Sequence, residues 1–207
     1  MYMDSREELA ISLQEIGAVK FGLFTLKSGL RSPIYLDLRV LISFPKTLRL
    51  VAKELAKKAE PLKFDVIAGI PFAAIAISTA LSLEKGYRMV FPRKEAKDYG
   101  TKAAVEGKFS SGETALVIDD LITTGASKFE AIAPLEKVGL KVNDILVLID
   151  REQGGKEELA KQSLKLHSVF TAREILEILH AHKKLDDAHY ENAKRYFENP
   201  EKWQGGA

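Results

Sequence analysis

The sequence contains no cysteine among its 207 residues. This absence excludes a disulfide framework, a cysteine zinc site, an iron–sulfur cluster and catalysis by a thiolate nucleophile. A chain of this length buries roughly 70% of the surface that its unfolded form exposes, so it needs no covalent or metal cross-link. We therefore expect one domain that is held together by its hydrophobic core.

The sequence also lacks a long apolar run and a strong excess of either charge. No segment approaches the ~20 apolar residues of a membrane span. The polar N-terminus, MYMDSREELA, lacks the apolar core of a secretory signal. The net charge is only +2, whereas proteins that bind nucleic acid independently of sequence carry a clear basic excess. We therefore expect a cytoplasmic protein that binds neither membranes nor nucleic acid.

Two common nucleotide-binding fingerprints are absent as well. The pattern GxGxxG does not occur. The segment 107–114 reads GKFSSGET and departs from the Walker pattern by one residue, because Glu113 occupies the position of the essential lysine. It also precedes a predicted strand, whereas a P-loop follows one. We interpret the segment as a turn.

Apolar strands alternate with helical patterns in most of the chain. The predicted strands cover residues 20–26, 34–41, 65–70, 88–91, 115–119, 144–149 and 165–170. The predicted helices cover residues 5–18, 46–59, 72–84, 126–138, 155–162 and 172–182, the first with a capping box of Ser5 and Glu8. The alternation from residue 65 onward predicts a parallel sheet covered by helices. Ligands of such sheets bind beyond the carboxyl ends of the strands.

The segment 115–132, ALVIDDLITTGASKFEAI, combines an apolar strand, two acids and a turn of small residues. Asp119 and Asp120 end the predicted strand. The residues that lead into the next helix are Thr123, Thr124, Gly125, Ala126 and Ser127. Backbone N–H groups at a helix N-terminus favour a phosphate, whereas adjacent carboxylates would repel one and suit sugar hydroxyls or a hydrated divalent cation. The pattern indicates a phosphorylated sugar; an ordinary N-cap explains one polar residue but not the set.

A segment of 21 residues without clear periodicity, 93–113, follows the strand 88–91. Loops of this length in compact domains are uncommon and tend to be lids or disordered segments. Its cations include Arg93, Lys94 and Lys97, which suit stabilisation of charge on a departing phosphate. A solvated charged loop is the alternative interpretation.

Two further segments place a cation near a predicted strand. The segment 24–37, FTLKSGLRSPIYLD, carries Lys27 in a turn, which taken alone indicates only an exposed lysine. The segment 148–155, LIDREQGG, places Arg151 at a strand end, where a guanidinium can hold a carboxylate through two hydrogen bonds. A surface salt bridge is the alternative for Arg151.

Taken together, these segments resemble one enzyme family. The segment VIDDLITTGAS resembles the motif with which type I phosphoribosyltransferases bind 5-phosphoribosyl 1-diphosphate (PRPP). The segments FTLKSGLRSPIYLD, RKEAKDYG and DREQGG resemble those of orotate phosphoribosyltransferases. Of these regions, KDYGTK and DREQGG look most like the transferase half of bifunctional UMP synthases. The likeness spans about residues 10–180. It implies an α/β fold of the type I phosphoribosyltransferase kind, a mostly parallel sheet flanked by helices with a small N-terminal hood.

The resemblance implies a single domain, 1–207, with a hood at about 1–42, a core at about 43–182 and a C-terminal tail at 183–207. It implies Mg²⁺-dependent transfer of phosphoribose from PRPP to N1 of orotate, giving orotidine 5′-monophosphate and diphosphate in de novo pyrimidine biosynthesis. It also implies a homodimer in which the loop 93–113 acts on the neighbouring subunit. A decarboxylase barrel takes ~250 residues, so we expect a stand-alone transferase.

The resemblance further assigns residue roles. Asp119 and Asp120 would hold the ribose hydroxyls, and Lys97 would be the main catalytic cation. The residues expected to bind PRPP are Lys27, Arg93, Lys94, Lys97, Tyr99, Asp119, Asp120, Leu121, Ile122, Thr123, Thr124, Gly125, Ala126 and Ser127. The residues expected to bind orotate are Tyr35, Leu36, Phe72, Thr123 and Arg151. No residue is assigned as a metal ligand, because Mg²⁺ would arrive on the diphosphate and keep several waters.

Two positions depart from the family pattern. Tyr99 stands where many bacterial members have a histidine, so an acid or base role near neutral pH does not transfer. Ala73 stands where many members have a lysine, which removes one cationic contact to the diphosphate.

Two other functions stay open: a phosphoribosyltransferase that uses a purine base or xanthine, and a regulator that senses PRPP and binds nucleic acid.

Overall fold

The computed structural model describes residues 4–25, 29, 31–93, 104–200 and 203. The described helices are α1 (Ser5–Glu15), α2 (Pro45–Ala59), α3 (Ala73–Lys85), α4 (Ala126–Lys137), α5 (Gly155–Ala160), α6 (Ala172–Ala181) and α7 (Asp187–Glu198). The described strands are β1 (Val19–Thr25), β2 (Arg31–Leu36), β3 (Val66–Gly69), β4 (Met89–Pro92), β5 (Val105–Glu106), β6 (Thr114–Ile122), β7 (Lys141–Asp150) and β8 (Lys165–Thr171).

The chain divides into two compact units. The first comprises Met1–Thr47 and Phe170–Ala207, and the second comprises Leu48–Val169. Helix α6 belongs to the first of these units, and the expected division into a hood at about 1–42, a core at about 43–182 and a tail at 183–207 stays a prediction.

The second unit is organised around a sheet with the strand order β5-β4-β3-β6-β7-β8. Strand β3 pairs in parallel with β4 and β6, and β6 pairs in parallel with β7. Helix α3 packs against β3 and β6, and helix α4 packs against β7. The inner strands are apolar and buried because both faces of a parallel sheet are covered. The predicted α/β class with a mostly parallel sheet is confirmed.

The first unit contains the antiparallel pair β1-β2 and the helices α1, α6 and α7. Helix α6 packs against α1 and α7, and α7 also contacts β1 and β2. The indole N–H of Trp203 donates to Asn192 Oδ1 at 2.9 Å, and its ring meets the edge of Tyr196 on α7. Residues 183–207 therefore include helix α7, and Trp203 packs against it.

Three local predictions differ from the structure. The capping box of α1 uses Asp4 and Glu7, one residue before the predicted pair Ser5 and Glu8, and Glu7 Oε2 accepts the Asp4 N–H at 3.3 Å. The predicted strand 34–41 ends at Leu36 and continues as a 3₁₀ helix, Leu38–Ser43, because the Asp37 side chain caps it by accepting the Arg39 N–H. Strand β5 lies inside the predicted loop 93–113 and pairs with β4.

In the described part of the chain, no helix combines the length and apolar character that a bilayer crossing requires.

Candidate active site

Four strands deliver predicted site residues to one edge of the sheet. Strands β4, β3, β6 and β7 run parallel, so their carboxyl ends meet at the same edge. Arg93 follows β4, Phe72 follows β3, Thr123 follows β6 and Arg151 follows β7. The parallel register therefore gathers these residues at the edge where ligands of such sheets bind.

Strand β6 continues three residues beyond its predicted end at Asp119. Asp119 and Asp120 accordingly lie within the strand rather than at its end. The Ile122 side chain is fully buried and belongs to the hydrophobic core of the second unit. The side chain packs the strand against the core, and the predicted contact of Ile122 to PRPP stays a prediction.

The Asp119 carboxylate is held by a lysine that the sequence analysis did not single out. Asp119 Oδ2 forms an ion pair with Lys128 Nζ, and each side chain is only 7% exposed. Asp119 Oδ1 accepts the Asp120 N–H at 2.8 Å. Lys128 lies in the first turn of α4, where the helix dipole disfavours a cation. That unfavourable placement is the sequence signal that could have revealed a partner.

Asp120 is the more accessible of the two acids. Its Oδ1 accepts the Leu121 N–H at 2.9 Å, which sets the direction of the carboxyl group. Burial raises the pKa of Asp120 to about 7, and the neighbouring Asp119 charge adds to the effect because two adjacent carboxylates resist ionising together. The acid pair therefore carries less negative charge near neutral pH than two free carboxylates would.

Residues 123–125 form a tight turn between β6 and α4, and Ala126 and Ser127 begin the helix. Gly125 is the N-cap of α4 with φ of +85°, a conformation that glycine adopts without steric cost. Thr124, Ala126 and Ser127 are exposed, whereas Gly125 is buried. The first N–H groups of a helix have no partner within the helix, and together with the helix dipole they favour an anion. The predicted phosphate turn is thus open to solvent.

A second glycine, Gly155, packs against this turn and the end of β6. A Cβ atom added to Gly155, at the start of α5, would lie 2.6 Å from the Thr123 carbonyl oxygen and 2.8 Å from the Ile122 side chain. Real Cβ atoms do not approach so closely, so only glycine allows α5 to pack against the end of β6. This close packing holds the turn in position relative to the end of β6.

Arg151 leaves the end of β7 through an ordered backbone. Its N–H donates to the Ile122 carbonyl at 3.0 Å, and the Glu152 N–H donates to Asp150 Oδ1 at 2.9 Å. Glu152 takes a φ of +55°, a strained value for a residue with a side chain. Burial raises the pKa of Asp150. The Arg151 backbone is therefore tied directly to the last residue of β6.

The other described residues occupy varied surroundings. The Arg93 guanidinium forms an ion pair with Glu106 on β5. Phe72 is 72% exposed and directly precedes Ala73, the first residue of α3. Tyr35 and Leu36, half-buried on β2, belong to the first unit, where the centroid of the Tyr35 ring stacks 5.4 Å from that of Phe24.

Four predicted site residues lie outside the described residues: Lys27, Lys94, Lys97 and Tyr99.

The acid pair fits a divalent cation only in combination with a substrate. Among residues 4–25, 31–93 and 104–200, no group of three His, Asp or Glu side chains is arranged to hold a metal ion. Asp119 is already paired with Lys128. Mg²⁺ is commonly bound through one or two carboxylates, substrate phosphates and several waters. The donor set therefore suits an ion that a phosphorylated substrate carries into the site.

Comparison with known proteins gives consistent matches, although no protein-family profile matches the chain. The uridine 5′-monophosphate synthase of Bos taurus is 43% identical over 192 residues, which cover 92% of this chain and 40% of the relative. The orotate phosphoribosyltransferase of Pyrococcus furiosus is 38% identical over 174 residues, which cover 83% of this chain and 96% of the relative. The solved structure of Leishmania donovani UMP synthase has a TM-score of 0.86 at 39% identity, covering 94% and 42% of the two chains. The chain thus spans about 40% of the length of the two synthases.

Substituting Gly155 by alanine is expected to lower the free energy of unfolding by about 1–3 kcal/mol, because the added methyl group overlaps Thr123 and Ile122. Urea denaturation measures the loss. Gly154→Ala is the matched control, since Gly154 has a φ of +88° but nothing within 4 Å of an added Cβ. The control should show only the left-handed backbone penalty of about 1–2 kcal/mol. A Gly155→Ala variant that is as stable as the parent would contradict the close packing.

The pH dependence of stability is expected to report the raised pKa of Asp120. The folded protein holds a proton on Asp120 up to about pH 7, whereas the unfolded chain releases it near 3.8. The contribution of this proton to stability is therefore lost as the pH rises through that window. Asp120→Asn keeps the site neutral, so its Tm should exceed that of the parent by about 4 °C or more at pH 8, with no such gain at pH 4.

Asp119→Asn serves as the control in these thermal melts. It breaks the buried pair with Lys128 and should lower the Tm at pH 8. Parallel Tm profiles for the parent and Asp120→Asn between pH 4 and pH 8 would show that Asp120 does not titrate in this range.

Proposed function

The chain belongs to the orotate phosphoribosyltransferase family, and from this premise we propose that it transfers phosphoribose from PRPP to N1 of orotate. The products are orotidine 5′-monophosphate and diphosphate, in a step of de novo pyrimidine synthesis. The match to the Pyrococcus furiosus enzyme supports the activity, because it covers 83% of this chain and 96% of that enzyme's length.

The arrangement of acids and hydroxyls at the end of β6 is the structural observation that supports this reaction. The sheet edge joins the acid pair of β6 directly to an exposed hydroxyl-bearing turn at the start of α4. Carboxylates accept hydrogen bonds from ribose hydroxyls, and the helix N-terminus favours the 5-phosphate. A ribose 5-phosphate requires both features at adjacent positions. Thr124 and Ser127 are exposed on the phosphate side, and Asp120 is the more accessible acid on the sugar side.

The reaction breaks the bond between C1 of the ribose and the diphosphate oxygen, and it forms a bond between C1 and N1 of orotate. The proton that N1 carried is released to the diphosphate or to water. Positive charge develops on the ribose ring while negative charge develops on the diphosphate. No protein nucleophile is needed, so the chain contributes positioning and charge stabilisation. Mg²⁺ bound to the diphosphate would neutralise part of the leaving-group charge.

The resemblance supplies the cations for the leaving group. We assign this role to Lys97, with Lys27, Arg93 and Lys94 as further contacts to PRPP. Of these four, Arg93 lies within the described residues, and its ion pair with Glu106 holds it beside the end of β4. Arg151 is assigned to the carboxylate of orotate, because it follows the strand next to β6 and can form a bidentate contact.

A direct assay tests the proposed activity. The protein is incubated with orotate, PRPP and Mg²⁺, and consumption of orotate is followed by its ultraviolet absorbance. We expect turnover with Mg²⁺ and its loss when EDTA removes the ion. Adenine, guanine, hypoxanthine and xanthine replace orotate in parallel reactions. Turnover of a purine base without turnover of orotate would favour the other transferase reading. Absence of turnover with every base would favour the regulator.

Arg151→Ala is expected to raise the KM for orotate by about 10-fold or more, because loss of a charged bidentate contact weakens binding of the carboxylate. The KM for PRPP should change by less than about twofold, since the residue faces the base rather than the phosphates. Arg173→Ala is the control, because Arg173 is not among the residues assigned to either substrate and its guanidinium contacts the Phe197 ring and carbonyl. A rise in the KM for PRPP alone would show that the assignment of Arg151 is wrong.

Lys97→Ala is expected to lower kcat by about 10²–10³, comparable to loss of one preorganised donor to a developing anion. We further propose a homodimer in which this lysine serves the neighbouring subunit. Mixing the inactive variants Lys97→Ala and Asp120→Asn tests this arrangement, because a mixed dimer would contain one intact site. Partial recovery of activity is the expected result. No recovery, with dimers demonstrated by light scattering, would contradict sharing of the site.

A further inference from the structure

We propose that Lys128 is a positioning residue for PRPP. Its ammonium group orients the Asp119 carboxylate and cancels its charge, so that the sugar side of the site presents one uncompensated carboxylate to a polyanionic substrate. This inference rests on the proposed function, because it assigns the neighbouring turn and acids to PRPP. Lys128 itself needs no contact with the substrate.

The first support is the way in which the Asp119 carboxylate is bound. Its Oδ2 pairs with Lys128 Nζ, and its Oδ1 accepts the Asp120 N–H. Both oxygens are therefore engaged by the protein, and the carboxylate has one fixed orientation. Because this N–H belongs to the backbone of Asp120, the hydrogen bond also fixes the backbone that carries the Asp120 side chain.

The second support is the position of Lys128 on its helix. The Lys128 N–H donates to the Gly125 carbonyl at 2.9 Å within the turn assigned to the 5-phosphate. Its side chain reaches back to β6, where it pairs with Asp119. One residue thus connects the sugar-binding acids with the phosphate turn. A change at Lys128 therefore reaches both parts of the proposed PRPP site.

The third support is the cost of placing a lysine at this position. Burying a cation requires a well-formed partner, and the helix dipole opposes a positive charge in the first turn. Among the described side chains of α4, Lys137 shows the favourable arrangement, because it is exposed in the last turn. Local helix stability therefore does not account for Lys128, whereas compensation of a buried acid beside an anion site does.

Removal of the ammonium group should therefore weaken PRPP binding more than it affects orotate binding. In Lys128→Met the side chain keeps a similar length and apolar stem but has no charge. Asp119 would then stand as an uncompensated carboxylate next to Asp120 and close to the substrate phosphates. Lys128→Arg preserves the charge, and the double variant Asp119→Asn with Lys128→Met removes both charges. Lys137→Met is the matched control, because it removes an exposed lysine from the same helix.

The first measurement is the Kd of the Mg²⁺ complex of PRPP by titration calorimetry, which needs no turnover of orotate. We expect Lys128→Met to raise this Kd at least about tenfold. We expect Lys137→Met to stay within about twofold of the parent, and the double variant to bind PRPP more tightly than Lys128→Met because the repelling carboxylate is gone. Thermal melts report the folded fraction of every variant.

The second measurement separates positioning from general destabilisation in steady-state kinetics. Lys128→Met should raise the KM for PRPP and leave the KM for orotate within about twofold, and Lys128→Arg should recover a KM for PRPP near the parent value. If Lys128→Arg fails to fold, the double variant decides. An unchanged Kd and KM for PRPP, with Vmax falling only with the folded fraction, would overturn the proposal. A double variant that binds no better than Lys128→Met would also overturn it.

The two hypotheses fail in different ways. If the parent binds PRPP but does not turn over orotate, the proposed reaction is wrong while the Kd series still tests Lys128. If the parent turns over orotate and the Lys128 variants keep the parent Kd, only the positioning role is wrong. If the parent does not bind PRPP, both are overturned.

Discussion

The buried ion pair between Asp119 and Lys128 joins the end of strand β6 to the first turn of helix α4. A carboxylate and an ammonium group that are removed from water require each other, because either one alone would be a costly buried charge. The pair therefore constrains the strand, the turn and the helix to one geometry. The orientation of the Asp119 carboxylate and the path of helix α4 both depend on this constraint.

The remainder of the site edge is positioned by backbone packing. Gly155 allows α5 to approach Thr123 and Ile122 so closely that no side chain fits between them. The Arg151 N–H binds the Ile122 carbonyl, which ties the end of β7 to the end of β6. Buried Ile122 thus forms a common support below the turn and beside Arg151. In the proposed reaction, a sheet edge fixed in this way would hold the sugar phosphate and its reaction partner at defined positions, which lowers the barrier when no covalent intermediate forms.

The acid pair shows how charge is managed beside an anion site. One carboxylate is compensated by Lys128, and burial next to that carboxylate raises the pKa of Asp120. Both effects reduce the negative charge that would otherwise repel a phosphorylated ligand, while both side chains keep oxygen atoms that accept hydrogen bonds from hydroxyl groups. The small net charge of the chain therefore does not argue against a polyanionic ligand, because the local arrangement of charges decides which ions are attracted.

The sequence by itself determined the elements that depend on local patterns. Strands β3 and β4 and helices α2, α3 and α4 lie within one residue of the bounds that apolar periodicity predicts, and the order of acids, hydroxyls and glycine in 119–127 identified the family that the comparisons confirm. Tertiary structure alone decided the extension of β6, because its last residues gain their partners from β7 through pairs such as Ile122 with Asp150. It also decided the role of Lys128, since nine residues separate it from Asp119 and only the fold of the turn brings the two charges together. Sequence patterns report the spacing of residues along a helix or strand, whereas pairing across elements depends on burial and register, which exist only in the folded chain.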